Sequence, residues 1–332
     1  MLNFRPEPLN PPVWLRNPHV QTIGGRVFRH FNDVSYRRIR LDTPDGDFLD
    51  LDFADVKNYT WAQRGDNAPI LLLLHGLEGD ARKGYAVEMY RDAALAGFRP
   101  VGMNFRSCSG EMNRTARFYH MGATDDVKFI VNWLHEHYPD VPLFMVGISL
   151  GGNMTLKFLG ENSHDLDGIV TAAAAISPPI IATGRQAINH GLGRLYGTHL
   201  VRQLKRKVRI KIDVIKDSPA DGYKALTAST LREFDDAITA PLHGFKDADD
   251  YYNQCNSVRF LPDILHPTLI IRSTDDPFFN DDIPHDVIAK NPNLYGVFPR
   301  YGGHVGFIDG DSNDWAQRQI VRFFQMVMES KR

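Results

Sequence analysis

The sequence predicts an α/β fold in which a mostly parallel sheet is covered by helices on both faces. Three observations favour this prediction: short apolar runs alternate with helical patterns, those runs lack the polar alternation of half-exposed strands, and the chain has 332 residues. Strands that are buried on both faces form continuous apolar segments, and parallel neighbours need a helical crossover. A chain of this length can bury a sizeable core without disulfide or metal staples.

The first two strands have a different pattern. Residues 34–42 (VSYRRIRLD) and 48–55 (FLDLDFAD) alternate apolar and polar side chains on either side of the turn 43–46 (TPDG). This pattern predicts an antiparallel, half-exposed pair. Residues 56–68 are polar and are predicted to form a loop.

The apolar runs that follow predict the rest of the sheet. Short strands are expected at 69–75, 99–105, 142–148, 168–177, 267–273 and 294–299. Helical patterns lie at about 84–97, 121–138 and 150–162, and a final amphipathic helix is expected at 312–329. The alternation of the two element types predicts right-handed β-α-β units.

A segment between Ser177 and Pro267 interrupts this alternation. It is richer in charge and has helical patterns at about 185–210 and 221–239. An insertion after the carboxyl end of a strand in a parallel sheet is well placed to cover a ligand site. We therefore predict one α/β domain over residues 1–332, with about 178–266 inserted as a helical cap.

Composition narrows the class of function. The 38 Lys and Arg residues balance 40 Asp and Glu residues, which gives no global attraction to nucleic acid. Cys108 and Cys255 lie far apart and form no CxxC unit, which argues against a disulfide framework or a zinc site. The N-terminus lacks the pattern of a signal peptide, and no run reaches 18 apolar residues. We expect a cytoplasmic protein without a metal ion or an organic cofactor.

Ser149 is the first candidate for catalysis. It lies in GISLG (147–151), where a predicted strand passes directly into a predicted helix. A serine on such a sharp turn, with Gly147 and Gly151 two residues away on either side, has the pattern of a nucleophile elbow. The turn exposes Oγ at the N-terminus of a helix, where backbone N–H groups favour negative charge. A packing turn without catalysis would also need these glycines.

A serine nucleophile needs a base and an acid that orients the base. His304, in RYGGHVGF, follows the last predicted strand on a glycine-rich loop. Asp275 and Asp276 directly follow the strand at 267–273, where a carboxylate can accept the histidine Nδ1–H and fix its tautomer. We select Asp276, which precedes Pro277, and retain Asp275 as the alternative. The chain order Ser149, Asp276, His304 is that of α/β-hydrolases.

The oxyanion hole is predicted in the loop HGLEG (75–79) after the third strand. We expect the backbone N–H groups of Leu77 and Leu150 to be the donors. His75 is expected to bond the loop backbone, and Glu78 to face away from the developing negative charge.

Three other clusters of charged or titratable residues have a simpler interpretation. His135 and His137 are expected on an exposed helical face, because a spacing of two does not suit a metal pair on a helix. The basic run 205–207 (KRK) is expected to be a solvated helix face, although it could also contact anionic lipid. The acidic run 247–250 (DADD) lacks the spacing of a calcium loop and is predicted to be a turn.

Several sequence blocks resemble those of a known family. The chain is similar to the α/β-hydrolase superfamily and more narrowly to its YheT-like branch, whose members are described as esterases or lipases. One departure is Ser107, where the branch usually has glycine in NFRGCSG. Some animal members have an N-terminal membrane anchor, and the resemblance is not extended to it. The similar blocks are NPHVQTI (17–23), HGLEG (75–79), NFRSCSG (104–110), GISLGGN (147–153), FDDAITAPLHGF (234–245), DDPF (275–278) and GGHVGF (302–307).

The resemblance implies the catalytic residues Ser149, Asp276 and His304 and the oxyanion donors Leu77 and Leu150. It favours hydrolysis of short- to medium-chain esters or acylglycerols. The weak contact to a membrane surface that the basic run 205–207 allows does not rest on the resemblance. Two alternatives stay open at this point: an amide or peptide hydrolase with the same three residues, and a catalytically silent protein that uses the fold to bind a ligand.

Overall fold

The central feature of the fold is one eight-stranded sheet. The computed structural model describes residues 2–27, 32–184, 188, 191–279, 283–310, 312 and 314–331. The strand order is β1-β2-β4-β3-β5-β6-β7-β8. Only the pairs β1–β2 and β2–β4 in this sheet are antiparallel, so the predicted mostly parallel sheet is confirmed. The strands are β1 (Val34–Asp42), β2 (Phe48–Val56), β3 (Ile70–Leu74), β4 (Arg99–Asn104), β5 (Leu143–Ile148), β6 (Val170–Ile176), β7 (Thr268–Ile271) and β8 (Leu294–Val297).

Helices connect these strands and cover the sheet. In chain order they are α1 (Pro18–Val27), α2 (Trp61–Arg64), α3 (Gly84–Leu95), α4 (Thr124–His137), α5 (Leu150–Asn162), α6 (Gly193–Ile210), α7 (Ile212–Ile215), α8 (Gly222–Thr227), α9 (Leu231–Phe234), α10 (Ala240–Leu242), α11 (Ala248–Cys255), α12 (His285–Lys290) and α13 (Trp315–Ser330). A π-helix, Asp235–Thr239, joins α9 to α10. None of the described helices combines the length and the apolar character that crossing a membrane would require.

The sheet separates two apolar cores. Along β3, Leu71 and Leu73 belong to the core beneath α3 and α13, whereas Leu72 and Leu74 belong to the core beneath α4 and α5. All five residues of this strand are buried, which explains its uninterrupted apolar sequence. Burying each such side chain contributes about 1.5–3 kcal/mol. The sheet is thus packed on both faces, and the carboxyl ends of its parallel strands meet at one edge.

The first hairpin differs from the prediction in its exposure. β1 is half-exposed as expected, but β2 is almost entirely buried. Its polar residues Asp50 and Asp52 are buried as ion pairs, with Arg40 and Arg38 of β1 respectively. The alternation in sequence was therefore correct for strand type but wrong for solvent exposure, because neighbouring arginines neutralise the inward carboxylates.

Two predicted irregular segments contain helices. The predicted loop at 56–68 includes α2, which begins after a reciprocal capping box formed by Thr60 and Gln63. The predicted acidic turn at 247–250 is instead the start of α11. The Asp247 side chain accepts a hydrogen bond from the backbone N–H of Asp250 at 2.8 Å and so caps this helix.

The segment between β6 and β7 is helical but less regular than predicted. The predicted helix at 185–210 begins outside the described residues, and α6 covers its later part. The predicted helix at 221–239 is broken into α8, α9 and the π-helix. The backbone of Ala228 is not helical, and the Thr230 hydroxyl caps a new helix by accepting from the N–H of Glu233.

Candidate active site

Ser149 occupies a tight turn between β5 and α5. Its φ of 53° lies in the left-handed region, and its backbone N–H donates to the carbonyl of Ile176 in β6 at 2.8 Å. A Cβ on Gly147 would collide with the carbonyl of Gly151, and a Cβ on Gly151 would collide with the carbonyl of Leu74. Both positions therefore need glycine for close packing. This local geometry presents Oγ at the N-terminus of α5.

His304 connects Ser149 to a carboxylate. Its Nε2 lies 2.8 Å from Ser149 Oγ, and its Nδ1 lies 2.9 Å from Asp276 Oδ2. Asp276 and His304 are both buried. Asp276 Oδ1 also accepts the backbone N–H of Phe278 at 2.9 Å, which fixes the orientation of the carboxylate. With the ring proton on Nδ1, Nε2 is free to accept the serine hydroxyl proton.

Asp275 has a different partner. Its Oδ1 accepts the backbone N–H of Gly303, one residue before His304, at 2.9 Å. Burial raises the pKa of Asp275, with a backbone hydrogen bond from Gly303 acting in the opposite direction. Of the two adjacent carboxylates, Asp276 therefore contacts the His304 ring, whereas Asp275 supports the loop that carries the ring.

Contacts from distant segments hold the His304 loop in place. The backbone N–H of His304 donates to Thr22 Oγ1 at 3.0 Å, and its carbonyl accepts the Ser177 hydroxyl. The imidazole stacks on Phe278, with ring centroids 4.0 Å apart and planes 10° apart. None of these roles was predicted from the sequence. The only available signal for Thr22 was the block NPHVQTI, whose resemblance gave no residue roles.

The predicted oxyanion donors belong to the loop after β3 and to the first turn of α5. Leu77 and Leu150 both line the cavity that contains Ser149 and His304. Within the described part of the chain, the backbone N–H groups of Leu77 and Leu150 have no acceptor. Gly76 lies so close that a Cβ there would be 3.2 Å from the Ser149 Cβ. The loop after β3 and the first turn of α5 thus converge beside the serine, and both offer free N–H groups.

His75 fixes the backbone of this loop. Its Nδ1 lies 2.7 Å from the carbonyl oxygen of Gly76, and its Nε2 accepts the backbone N–H of Phe105 at 3.1 Å. The ring is fully buried, and burial lowers the pKa of His75 to about 4. Both nitrogens are thus used by backbone groups in the neutral ring, as the sequence analysis expected.

Glu78 has a buried partner that the sequence analysis misassigned. Its carboxylate accepts hydrogen bonds from Lys207 Nζ and from the Tyr119 hydroxyl, each at 2.7 Å. The side chains of Glu78 and Lys207 are only 4% and 12% exposed. The prediction that 205–207 is a solvated helix face is therefore wrong for Lys207, whose side chain lies on the inner face of α6 against the loop after β3. Its positive charge turns the Glu78 carboxylate toward the helix.

Ser107 tolerates its unusual position through a local hydrogen bond. Its φ is 62°, a conformation that favours glycine. Its hydroxyl donates to the Asn113 side-chain oxygen and accepts the backbone N–H of Asn113 at 3.2 Å. The departure from glycine therefore fits this loop, since the hydroxyl ties two parts of it together.

A cavity of about 480 Å³ opens beside Ser149. Its wall is mostly apolar and includes residues of α6, the loop after β3 and the segment after β7. This volume lies within the range of small-molecule sites, about 300–1,000 Å³. Representative apolar residues of the wall are Leu77, Phe118, Leu200, Leu204, Phe234 and Phe278.

The other candidate groups do not join this site. His135 and His137 are exposed on α4, and Cys108 and Cys255 are free and buried. Across the residues with described structure, no group of three or more His, Cys, Asp or Glu side chains could hold a metal ion.

Comparison with known proteins identifies the family. The family model described as the alpha/beta hydrolase fold matches residues 69–311, which includes all the residues predicted to form the site. The chain belongs to this family. The Escherichia coli protein YheT, which is named as an esterase, is 36% identical over 324 residues, covering 95% of this chain and 92% of YheT. The predicted relation to the YheT-like branch is thereby confirmed.

Further relatives have names that refer to lipid hydrolysis. Mouse phospholipase ABHD3 is 29% identical, over 96% of this chain and 78% of its own length. The monoacylglycerol lipase of Saccharomyces cerevisiae is also 29% identical, over 94% of this chain and 79% of its own length. Among solved structures, the Pyrococcus furiosus esterase Pf2001 aligns with a TM-score of 0.57 at 17% identity, covering 97% of this chain and 98% of that one. At that identity the likeness shows the fold alone.

Proposed function

We propose that this hydrolase cleaves carboxylic esters by a serine mechanism in which Ser149 is the nucleophile. The observation that carries the proposal is the chain of hydrogen bonds from Ser149 through His304 to Asp276. The esterase and lipase relatives support the reaction class. Short- to medium-chain acyl esters or acylglycerols are the proposed substrates, because the wall beside Ser149 is mostly apolar and suits an acyl chain.

The proposed reaction has two steps. In the first, Ser149 Oγ attacks the ester carbonyl while His304 Nε2 takes the hydroxyl proton, and the same proton then leaves with the alcohol as the C–O bond breaks. In the second, water loses a proton to His304 and attacks the acyl-enzyme. The bond between the acyl group and Ser149 Oγ then breaks, His304 returns the proton to Oγ, and the acid leaves. Asp276 keeps the ring in the required tautomer and stabilises the imidazolium.

The backbone N–H groups of Leu77 and Leu150 are the proposed donors to the tetrahedral oxyanion. Their support is that both groups lie at the cavity and have no acceptor among the residues whose structure is described. A donor of this kind contributes about 3–4 kcal/mol to transition-state stabilisation.

The segment from about 178 to 266 is proposed to act as a cap within a single domain. It supplies α6, the π-helix and α11, all of which contribute residues to the cavity wall. A small apolar core that includes Leu204, Val208, Phe234 and Ile238 packs the helices of the segment together and against Phe118 outside it. This cover excludes water from the acyl chain.

A series of p-nitrophenyl esters with acyl chains from C2 to C16 tests the proposal. We expect wild-type turnover to peak at short or medium length, and Ser149→Ala to lose at least about 10³-fold in kcat. A p-nitroanilide of the best acyl group is expected to be a poorer substrate. Unchanged turnover in folded Ser149→Ala, or faster cleavage of the anilide than of the ester, would contradict the proposal.

A further inference from the structure

The cavity wall contains polar side chains that the proposed reaction does not use. Most of the wall is apolar, but His120, Asp235, Thr239, Tyr251 and Tyr252 also line it. Two of them belong to the π-helix and two to α11. Short π-helices occur often at functional sites, because they place side chains where a regular helix would not.

Asp235 provides hydrogen-bond acceptors at this wall. Its Oδ1 accepts the Thr239 hydroxyl at 2.6 Å, and its Oδ2 accepts the Tyr252 hydroxyl at 2.7 Å. Both donors are neutral, and no described Lys or Arg side chain forms an ion pair with Asp235. Burial raises the pKa of Asp235 to about 6, so the carboxylate is ionised at pH 7 and above. Each carboxylate oxygen can accept a second hydrogen bond, which leaves capacity for a ligand.

His120 and Tyr251 provide donors. His120 is only 7% exposed, and its Nδ1 accepts the backbone N–H of Gly122 at 3.2 Å. Burial lowers the pKa of His120 well below its ordinary value, so the ring is neutral and its proton lies on Nε2. The Tyr251 hydroxyl accepts the backbone N–H of Met121 at 3.0 Å. For the residues that the structure describes, neither His120 Nε2–H nor the Tyr251 hydroxyl proton has an acceptor.

These groups lie on the Leu150 side of the cavity. Leu150 packs against the cluster that contains Met121 and Tyr251. Asn153 of α5 donates to the carbonyls of Met121 and Cys255 at 3.0 and 2.9 Å, which docks α11 on the helix that follows Ser149. The ring centroids of His120 and Tyr251 are 5.6 Å apart, and the ring planes lie at 71° in an edge-to-face contact. The donors are therefore fixed in position relative to the nucleophile.

We propose that His120, Asp235 and Tyr251, here called the polar wall, bind the hydroxyl groups of an ester whose alcohol part is a polyol. A hydroxyl both donates and accepts, so it can donate to Asp235 and accept from His120 or Tyr251. A site built in this way discriminates against an analogue without hydroxyls, because the buried His120 Nε2–H and Tyr251 hydroxyl proton then stay without an acceptor. The proposal rests on the proposed ester hydrolysis and specifies its substrate as a polyol monoester.

Two butyrate esters that differ only in two hydroxyls provide the test: glycerol 1-butyrate and n-propyl butyrate. We expect wild-type kcat/KM to favour the glycerol ester. Asp235→Asn keeps the shape of the side chain and is expected to lower kcat/KM for the glycerol ester roughly 10- to 100-fold more than for the propyl ester, the range for losing a hydrogen bond to a charged group. His120→Phe, which keeps a ring without a donor, is expected to shift the selectivity in the same direction.

A matched control and two further substrates separate the outcomes. Leu200→Ala, which changes an apolar part of the same wall, is expected to alter both esters in parallel. If the enzyme hydrolyses p-nitrophenyl butyrate but shows no preference between glycerol 1-butyrate and n-propyl butyrate, the assignment of the polar wall to hydroxyl binding is wrong. The proposal of ester hydrolysis then stands. Absence of all ester turnover would overturn both. Faster turnover of choline butyrate than of either neutral ester, lost in Asp235→Asn, would overturn the hydroxyl assignment in favour of a cation site.

Discussion

At the scale of single residues, the two adjacent aspartates after β7 divide two tasks between them. Asp276 contacts the ring of His304, and Asp275 contacts the backbone of the loop that carries that ring. The sequence indicated that one of the pair would serve the histidine, but both follow the same strand. The separation depends on the turn geometry at Pro277, which brings the backbone N–H of Phe278 to Asp276.

This division leads to a direct comparison of two isosteric variants. Asp276→Asn should lower kcat by about 10³- to 10⁴-fold, because the amide neither stabilises the imidazolium nor fixes the required tautomer of the neutral His304 ring. Asp275→Asn retains an acceptor for the Gly303 N–H and should lower kcat less than about tenfold. Steady-state kinetics with p-nitrophenyl butyrate provide the measurement. A larger loss in Asp275→Asn would mean that the acid is misassigned.

Acid stability should report on the buried, neutral His75. Its pKa is lowered from 6.5 to about 4 in the folded protein by burial. The unfolded chain therefore binds more protons between pH 6.5 and 4, and the stability associated with the neutral ring is lost as pH falls through this window. The contribution is at most about 1.4 kcal/mol per pH unit.

Urea unfolding of wild type and His75→Gln at several pH values between 7 and 4 measures this effect. The wild-type free energy of unfolding should fall more steeply with acidification than that of the variant. His120 is buried and His243 is partly buried, and the pKa of each is lowered, so part of the slope should persist in His75→Gln. Identical slopes in the two proteins would rule out His75 as a contributor.

At the scale of elements, one ion pair joins the proposed cap to the loop after β3. Lys207 belongs to α6, and Glu78 follows Leu77, whose N–H is a proposed oxyanion donor. Glu78 has a φ of 54°, and its backbone N–H donates to the Tyr119 hydroxyl at 2.7 Å. The loop is therefore held at both the backbone and the side chain of Glu78. Loss of Lys207 would leave the buried Glu78 carboxylate without a positive partner beside the proposed oxyanion site.

We expect Lys207→Met to lower the free energy of unfolding by about 3 kcal/mol, in the range for breaking a buried ion pair. We also expect kcat to fall at least about tenfold with a smaller change in KM, because the displaced donor acts mainly in the transition state. Lys207→Arg should recover part of both losses. Arg206→Met, at an exposed neighbouring position on α6, is the control. Loss of stability with normal kcat would show that the pair has no effect on the oxyanion loop.

At the scale of the whole molecule, sequence reasoning was most successful where one local pattern determines one structure. The parallel strands are buried on both faces, so their positions were visible as apolar runs, and the residues at their carboxyl ends could be grouped at one edge of the sheet. Ser149, Asp276 and His304 were selected on this basis, and the fold brings them within hydrogen-bonding distance.

Contacts between distant segments could not be predicted in the same way. Thr22 contacts His304 across 282 positions, and Lys207 contacts Glu78 across 129. Lys207 had the same local pattern as an exposed lysine, since only the packing of α6 on the loop after β3 buries it. The polar groups of β2 were misjudged for the same reason, because their arginine partners lie on a neighbouring strand.

The central claim, that Ser149 is the nucleophile, is tested most directly by mapping the adduct of a fluorophosphonate. Mass spectrometry of the labelled protein should find a single phosphonyl group on the peptide that contains Ser149. Labelling should be absent in Ser149→Ala and much slower in His304→Ala, since the histidine activates the hydroxyl. An adduct on another residue, or wild-type protein that hydrolyses esters without being labelled, would contradict the account.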